Sequence, residues 1–158
     1  MTELPSWLPP LIKFNDYDGW DDYLLAIHEV FRRDFIQSKP VFDGLSVFIR
    51  HEPKFKDKEY TFWHVTSEGE SEEDRIPDLR RCERIGWIRA IIDNANCEEV
   101  KVWEQVKKRR LRVYLWLHQF DYLIVLTKAT EFYFLVTAFQ IQSGRKRENL
   151  QRDYNTYK

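Results

Sequence analysis

The segment RVYLWLHQFDYLIVLTKATEFYFLVTAFQI, residues 112–141, decides the fold. It contains three stretches rich in β-branched and aromatic residues, at about 112–118, 121–127 and 131–140, with short polar turns between them. Such stretches are typical of β-strands. Because their connections are too short for the crossover that parallel neighbours need, we expect the three strands to pair consecutively in an antiparallel sheet.

Helices are predicted on both sides of these strands in the sequence. Residues 16–38 carry apolar side chains at helical spacing after an acidic start, and residues 79–95 repeat the pattern after a candidate N-cap, Asp78. The tail, residues 143–158, has the spacing of a last helix docked on the sheet. The segment VKVWEQV at 100–106 predicts a further strand.

Two segments in the first half of the chain are also predicted to be extended. VFDGLSVFIR (41–50) contains an Asp-Gly turn, and FWHVTS (62–67) has the composition of a buried strand. The prediction is an α+β domain over residues 1–158, with a core at about 16–142. Its antiparallel sheet would have four to six strands, with helices packed on one face.

Composition favours a protein of the cytoplasm. No apolar run approaches the roughly 20 residues that a membrane span requires, and the first 14 residues lack the features of a signal peptide. We therefore expect no membrane partner. Cys82 and Cys97 stand apart from any paired motif, which favours reduced core thiols.

Charge is divided unequally along the chain. Residues 1–100 hold 13 Lys and Arg against 21 Asp and Glu, a balance of −8, whereas residues 101–158 hold 12 against 5, a balance of +7. The basic runs at 107–112 and 145–152 would suit phosphate contacts with RNA, in which Lys108 and Arg110 take part. The alternative is a solvated turn and helix face.

Several polar side chains are predicted to meet in one cleft. On an extended FWHVTS segment, His64 and Thr66 share a face, and on the last strand Tyr133 and Thr137 do the same. Arg80 and Arg84 share one flank of the helix at 79–95. A core position for His64, bonded to a backbone carbonyl, is the alternative.

These residue types suit attack of a ribose 2′-hydroxyl on the adjacent phosphate. An imidazole can transfer the proton near neutral pH, a guanidinium can stabilise the charge on the phosphorane oxygens, and hydroxyls can orient the phosphate. No cofactor is needed. A zinc site from His51, His64, Cys82 and Cys97 is disfavoured because no two of them form a close ligand pair.

In order along the chain, FWHVTSEG, EDRIPDLRRCERIGWIRAIID, RVYLWLHQFDYLIVL and FYFLVTAFQI resemble the phage-associated branch of the barnase–EndoU–colicin–RelE-like ribonuclease superfamily. The resemblance covers roughly residues 45–155. It implies a small α+β protein that cleaves RNA without a metal ion and acts as a toxin or phage-defence ribonuclease in the cytoplasm. An antitoxin or immunity protein is the further partner it implies, and the acidic segment 67–78 would suit a basic partner of that kind.

The resemblance also implies roles for individual residues. A catalytic histidine corresponds to His64, arginines to Arg81 and Arg84, and a late-strand hydroxyl to Thr137, with Tyr133 beside it. With the cleft described above, this gives two predicted sets of site residues. The catalytic set is His64, Arg84, Thr137 and Tyr133, and the substrate-binding set is Arg80, Arg81, Thr66, Lys108 and Arg110. The alternative function is a catalytically inactive module of the same fold that binds RNA or a protein.

Overall fold

A computed structural model describes residues 3–69 and 74–158, and it contains both helices and strands. The predicted α+β class is confirmed. The elements in chain order are α1 (Trp20–Phe35), β1 (Val41–Phe42), β2 (Leu45–Phe48), α2 (Tyr60–Thr66), β3 (Ser67–Glu68), β4 (Ile76–Pro77), α3 (Leu79–Glu83), α4 (Ile85–Asp93), β5 (Val100–Lys107), β6 (Arg110–Leu117), β7 (Tyr122–Lys128), β8 (Tyr133–Gln140) and α5 (Gly144–Tyr157).

The main sheet has six strands in the order β1-β2-β8-β7-β6-β5. Strands β5 to β8 pair consecutively and antiparallel, as the short turns predicted. Strand β2 pairs with β8 in the parallel direction, so the sheet is mixed and the prediction of a purely antiparallel sheet is wrong. The local turns determine only the β5–β8 directions, because β2 and β8 are far apart in the chain, with α2 to α4 and β3 to β7 between them.

A β-bulge changes which side chains share a face on β8. Val125 pairs with Thr137, whereas the next residue, Leu126, pairs with Leu135, so Val136 is an extra residue in β8. Tyr133 therefore belongs to the core on one face of the sheet, and Thr137 lies on the other face. The prediction that these two residues share a face is wrong, because strict alternation fails at the bulge.

The sheet is covered differently on its two faces. Helices α1 to α4 contribute to the larger core on one face, with side chains such as Phe31, Phe62 and Ile88 fully buried. Helix α5 packs on the opposite face through Leu150 and Tyr154. The helices thus do not all lie on one face, and the part of the second face that α5 leaves uncovered is open.

FWHVTS is not a strand: its first five residues belong to the helix α2. Phe62 and Val65 are fully buried in the larger core from one side of this two-turn helix. The prediction of a strand is wrong because β-branched and aromatic composition is a weak signal, which burial against α1 and β8 overrides here. The predicted helix at 79–95 is also interrupted, with α3 and α4 meeting at Arg84.

The acidic segment 67–78 begins and ends as a small two-stranded ladder. Ser67 pairs with Pro77 and Glu68 with Ile76, and Asp78 then caps α3 by accepting a hydrogen bond from the backbone N–H of Arg80 at 2.9 Å. The N-cap prediction is confirmed. Residues 70–73, which belong to the predicted acidic loop, lie outside the described residues.

Candidate active site

His64 stands on the exposed flank of α2, where it forms one wall of a cleft. The cleft has a volume of about 520 Å³ and opens on the face of the sheet that α5 leaves uncovered. We call it cleft A. Its lining residues are Arg50, Tyr60, Thr61, His64, Arg110, Arg112, Thr127, Phe134, Leu135 and Val136.

The helical geometry of α2 orients the imidazole. Tyr60 and His64 are four residues apart, so their rings lie one above the other, with centroids 4.1 Å apart and planes inclined by 28°. The guanidinium of Arg50 lies over the Tyr60 ring at 4.3 Å. This stack restricts the rotation of the His64 ring and places a cation on the same wall of cleft A.

The opposite wall comes from the sheet. Arg110 and Arg112 are two residues apart on β6 and therefore point to the same face, and Arg112 pairs across the ladder with Thr127 of β7. The remaining lining is largely apolar and comes from β8. Cleft A therefore places a histidine on a helix opposite two arginines on a strand.

The charged side chains that line cleft A among the described residues are all basic. Three arginines and a histidine line it, and none of its described lining residues is an Asp or Glu. The Nε atom of Arg112 is buried without a hydrogen-bond partner, and neither Arg112 nor Arg110 takes part in an ion pair of the described chain. A partly buried guanidinium without a counter-ion is costly, so the cleft is suited to an anion.

The end of α2 is fixed through the backbone of His64. The hydroxyl of Thr137 donates to the His64 carbonyl oxygen at 3.1 Å, and Nη1 of Arg81 donates to the same oxygen at 3.0 Å. The same nitrogen also donates to the carbonyl of Ser67 at 2.9 Å. Thr137 and Arg81 are thus next to His64, as predicted, but these contacts give them a positioning role.

Three other predicted residues lie away from cleft A. The hydroxyl of Thr66 is buried and donates to the Phe62 carbonyl at 2.8 Å. Arg80 is exposed beside Asp78, with 3.7 Å between Nε and Oδ1. Arg84 lies over the ring of Trp87 at 5.1 Å and pairs with Glu83. The structure does not bring Arg80, Arg84 or the Thr66 hydroxyl together with the imidazole.

Of the basic residues predicted to bind substrate, Arg110 lines cleft A and Lys108 lines a neighbouring cleft. Arg112 belongs to the same predicted run, but sequence analysis did not single it out. Arg50 and Tyr60 were missed. The four-residue spacing of Tyr60 and His64 was the available signal, and it has meaning only once residues 60–66 are recognised as a helix.

Tyr133 is fully buried in the larger core, where its ring packs edge-on against Phe42 at 5.2 Å. Burial raises the pKa of its phenol, and the hydroxyl has no hydrogen-bond partner among the described residues. We expect Tyr133→Phe to leave RNA cleavage unchanged and to keep or raise the free energy of unfolding, by up to about 1 kcal/mol, because an unsatisfied buried hydroxyl is removed. Denaturant unfolding and a cleavage assay on the same preparation check this. A large loss of cleavage by a stable Tyr133→Phe protein would contradict this prediction and indicate that the Tyr133 hydroxyl takes part in catalysis.

A buried pair supports the start of α2. Glu59, the residue before the helix, has Oε1 at 2.8 Å from Nε2 of His28, and both side chains are nearly buried. Burial alone would raise the pKa of Glu59, but the hydrogen bond from His28, a backbone hydrogen bond and the nearby histidine charges together outweigh it, so the pKa is lowered. The ionised carboxylate therefore stabilises the fold above the unfolded-chain pKa of about 4.3, and this contribution is lost as the pH falls through the lower folded value.

Removal of the Glu59 carboxylate should clearly lower the stability of the fold. We expect Glu59→Ala to lower the free energy of unfolding by about 3 kcal/mol at pH 7, and to weaken the loss of stability that the wild type shows below about pH 4.3. Chemical denaturation across pH measures both effects. Glu29→Ala is the matched control, because Glu29 makes only an exposed pair with Arg32 at 3.5 Å, worth less than about 1 kcal/mol. Equal effects of the two substitutions would contradict this role of Glu59.

Comparison with known proteins adds no relative: no family model, curated protein or solved structure matches the chain. Across residues 3–69 and 74–158, no helix combines the length and apolar character needed to cross a membrane. The same residues contain no group of three or more His, Cys, Asp or Glu side chains arranged to hold a metal ion.

Proposed function

We propose that this chain is an endoribonuclease that cleaves RNA by attack of the ribose 2′-hydroxyl on the adjacent phosphate, without a metal ion, leaving a 2′,3′-cyclic phosphate. One observation carries the proposal. In cleft A, His64 lines the same space of about 520 Å³ as Arg50, Arg110 and Arg112. The resemblance of the sequence to metal-independent ribonucleases supports the same chemistry.

The reaction needs two proton transfers. The 2′-hydroxyl loses its proton as the bond from its oxygen to phosphorus forms, and the 5′-oxygen takes up a proton as the bond from phosphorus to that oxygen breaks. Imidazole has an ordinary pKa near 6.5, so it exchanges protons readily at neutral pH. His64 is the histidine that lines cleft A, and it serves one of these two transfers.

The arginines stabilise the phosphorane. Negative charge grows on the non-bridging oxygens as the 2′-oxygen attacks, and a guanidinium meets two of them with its planar fork of donors. Arg112 is the best placed for this role, because it is partly buried and no carboxylate of the described chain neutralises it. Arg110 and Arg50 at the rim of the cleft hold the neighbouring phosphates.

The role of Thr137 and Arg81 in this mechanism is indirect. Their hydrogen bonds to the His64 carbonyl hold the end of α2 against β8 and thereby set the distance between the imidazole and the arginines of β6. A cellular role as a toxin or phage-defence ribonuclease of the cytoplasm, with an antitoxin or immunity protein as partner, rests on the resemblance alone. Arg84 also has a catalytic role only through that resemblance.

A cleavage assay on total RNA with purified protein tests the proposal. With EDTA present, we expect RNA to be cut at a rate proportional to protein concentration, because the imidazole and the guanidinium groups supply both functions that the reaction needs. Binding of RNA with no cleavage, in EDTA or with added Mg²⁺, would favour the inactive binding module. Cleavage only with a divalent cation would contradict the proposed chemistry.

A further inference from the structure

A second cleft lies beside cleft A on the same open face of the sheet. It runs between α5 and strands β5 to β8, and its volume is about 610 Å³. We call it cleft B. Arg112 lines both clefts. Its neighbours across the ladder are Gln105 on β5, which lines cleft B, and Thr127 on β7, which lines cleft A. The two clefts therefore meet at the Arg112 side chain.

Cleft B has an excess of positive charge. Its lining includes five cations and a single carboxylate, that of Asp153. None of the five takes part in an ion pair of the described residues, whose arginine pairs lie elsewhere. One carboxylate cannot balance five cations, so binding of an anion with several charges would relieve their mutual repulsion. The cations are Lys107, Lys108, Arg112, Lys146 and Arg152.

Aromatic rings support some of these cations, and one of the rings, that of Phe139, is partly exposed. Nζ of Lys107 lies over Tyr114 at 5.5 Å, and Nζ of Lys146 lies over Phe139 at 5.8 Å. Phe139 is only partly buried, and it lines cleft B beside Thr137. Cations alternating with a partly exposed ring are the features that bind the backbone and bases of a single nucleic acid strand.

We propose that cleft B binds the single-stranded RNA that continues from the cleaved bond in cleft A, with Arg112 contacting the backbone where the strand passes between the clefts. This inference rests on the proposed function and specifies its substrate as unpaired RNA longer than a dinucleotide. The volumes of the two clefts lie within the roughly 300–1,000 Å³ of sites that enclose one small molecule. Single nucleotides fit in such spaces, whereas a duplex would rest on the rims.

Binding of uncleavable RNA tests this inference separately from catalysis. The probes are a labelled single-stranded 12-mer with 2′-methoxy groups throughout and the corresponding dinucleotide, measured by fluorescence anisotropy or by competition. The test variant replaces Lys107, Lys146 and Arg152 together by Ala. The control variant replaces Lys13, Arg32 and Lys39, which line neither cleft, and removes the same total charge.

We expect the cleft B variant to bind the 12-mer at least roughly tenfold more weakly than the control at low salt. The slope of log affinity against log salt concentration should fall by about 2, or about 0.7 for each of three lost phosphate contacts. The affinity for the dinucleotide should change less than about twofold. These results would hold whether or not the protein cleaves RNA.

Three outcomes would overturn the inference. The first is equal affinity of the two variants for the 12-mer. The second is an equal loss for the 12-mer and the dinucleotide, which would mean that the three cations act only on cleft A. The third is tighter binding of a poly-glutamate peptide than of the 12-mer, lost in the cleft B variant, which would identify an acidic protein as the occupant.

Discussion

His64→Ala should lower the rate of RNA cleavage by roughly 10²–10⁴, the usual contribution of a general acid or base, and leave the fold intact. The fold should survive because the imidazole lies in cleft A, stacked on Tyr60, whereas the neighbouring Phe62 and Val65 fill the core. The contacts that anchor this turn of α2 use the backbone carbonyl of residue 64, which Ala retains. Initial rates on a defined RNA, with thermal unfolding of the same samples, measure both properties.

His51→Ala is the matched control, since His51 is exposed and lines neither cleft. It should cleave at the wild-type rate. If His64 had only a structural role, the substitution should lower stability and leave the cleavage rate of the folded protein unchanged. If His64→Ala unfolds at a much lower temperature yet cleaves normally while folded, the imidazole is structural and cleft A is not the catalytic site.

Arg112→Ala should lower kcat by roughly 10²–10³, comparable with the loss of one preorganised donor to a developing oxyanion. The guanidinium is already partly buried in the free protein, and its Nε lacks a hydrogen-bond partner in the described part of the chain, so little reorganisation is needed when phosphate charge grows. Arg112→Lys should recover only part of the rate, because Lys keeps the charge and loses the planar fork. Single-turnover cleavage at saturating protein separates this effect from weaker binding.

Arg109→Ala is the control for charge in the same basic run. Arg109 occupies the tight turn between β5 and β6, is exposed and lines neither cleft. We expect at most a few-fold change with this substitution. Equal losses of cleavage rate at positions 109 and 112 would mean that the basic run acts only by non-specific electrostatic attraction. Arg112 would then have no specific role at the phosphate.

The sheet was the most predictable part of the fold, because its signals are local. Strands β5 to β8 are rich in β-branched and aromatic residues, and their turns are too short for any but antiparallel pairing. The Asp-Gly pair at 43–44, where both residues have positive φ, likewise marks the hairpin between β1 and β2. The parallel pairing of β2 with β8 joins segments far apart in the chain, and no local pattern encodes it.

FWHVTS shows where composition misleads. Its aromatic and β-branched residues favour a strand, but its first five residues lie in helix α2, which begins after Glu59. Glu59 is held by His28, and near the end of the helix the His64 carbonyl is bound by Thr137 and Arg81. These contacts come from α1, β8 and α3, and they stabilise a helix whose own propensity is low. A single sequence contains no record of such partners.

Only part of the candidate site was predicted, because its contacts also join segments that are far apart in the chain. The face patterns predicted that His64 and Thr137 share a cleft, and the Thr137 hydroxyl does lie beside residue 64, at its backbone carbonyl; the β-bulge at Val136 separates Tyr133 from both. The basic run at 107–112 was recognised from charge alone. Its most significant member, Arg112, differs from its neighbours in its burial and in its position between two clefts, and neither can be read from composition.

The chemical ends of the cleaved RNA test the proposed function most directly. Products made with EDTA present should carry a 2′,3′-cyclic phosphate and a 5′-hydroxyl, because the attacking oxygen belongs to the ribose beside the cleaved bond. An RNA with a 2′-methoxy group at the cut site should stay intact. Products with a 3′-hydroxyl and a 5′-phosphate, or cleavage of the 2′-methoxy RNA, would contradict the mechanism proposed for cleft A.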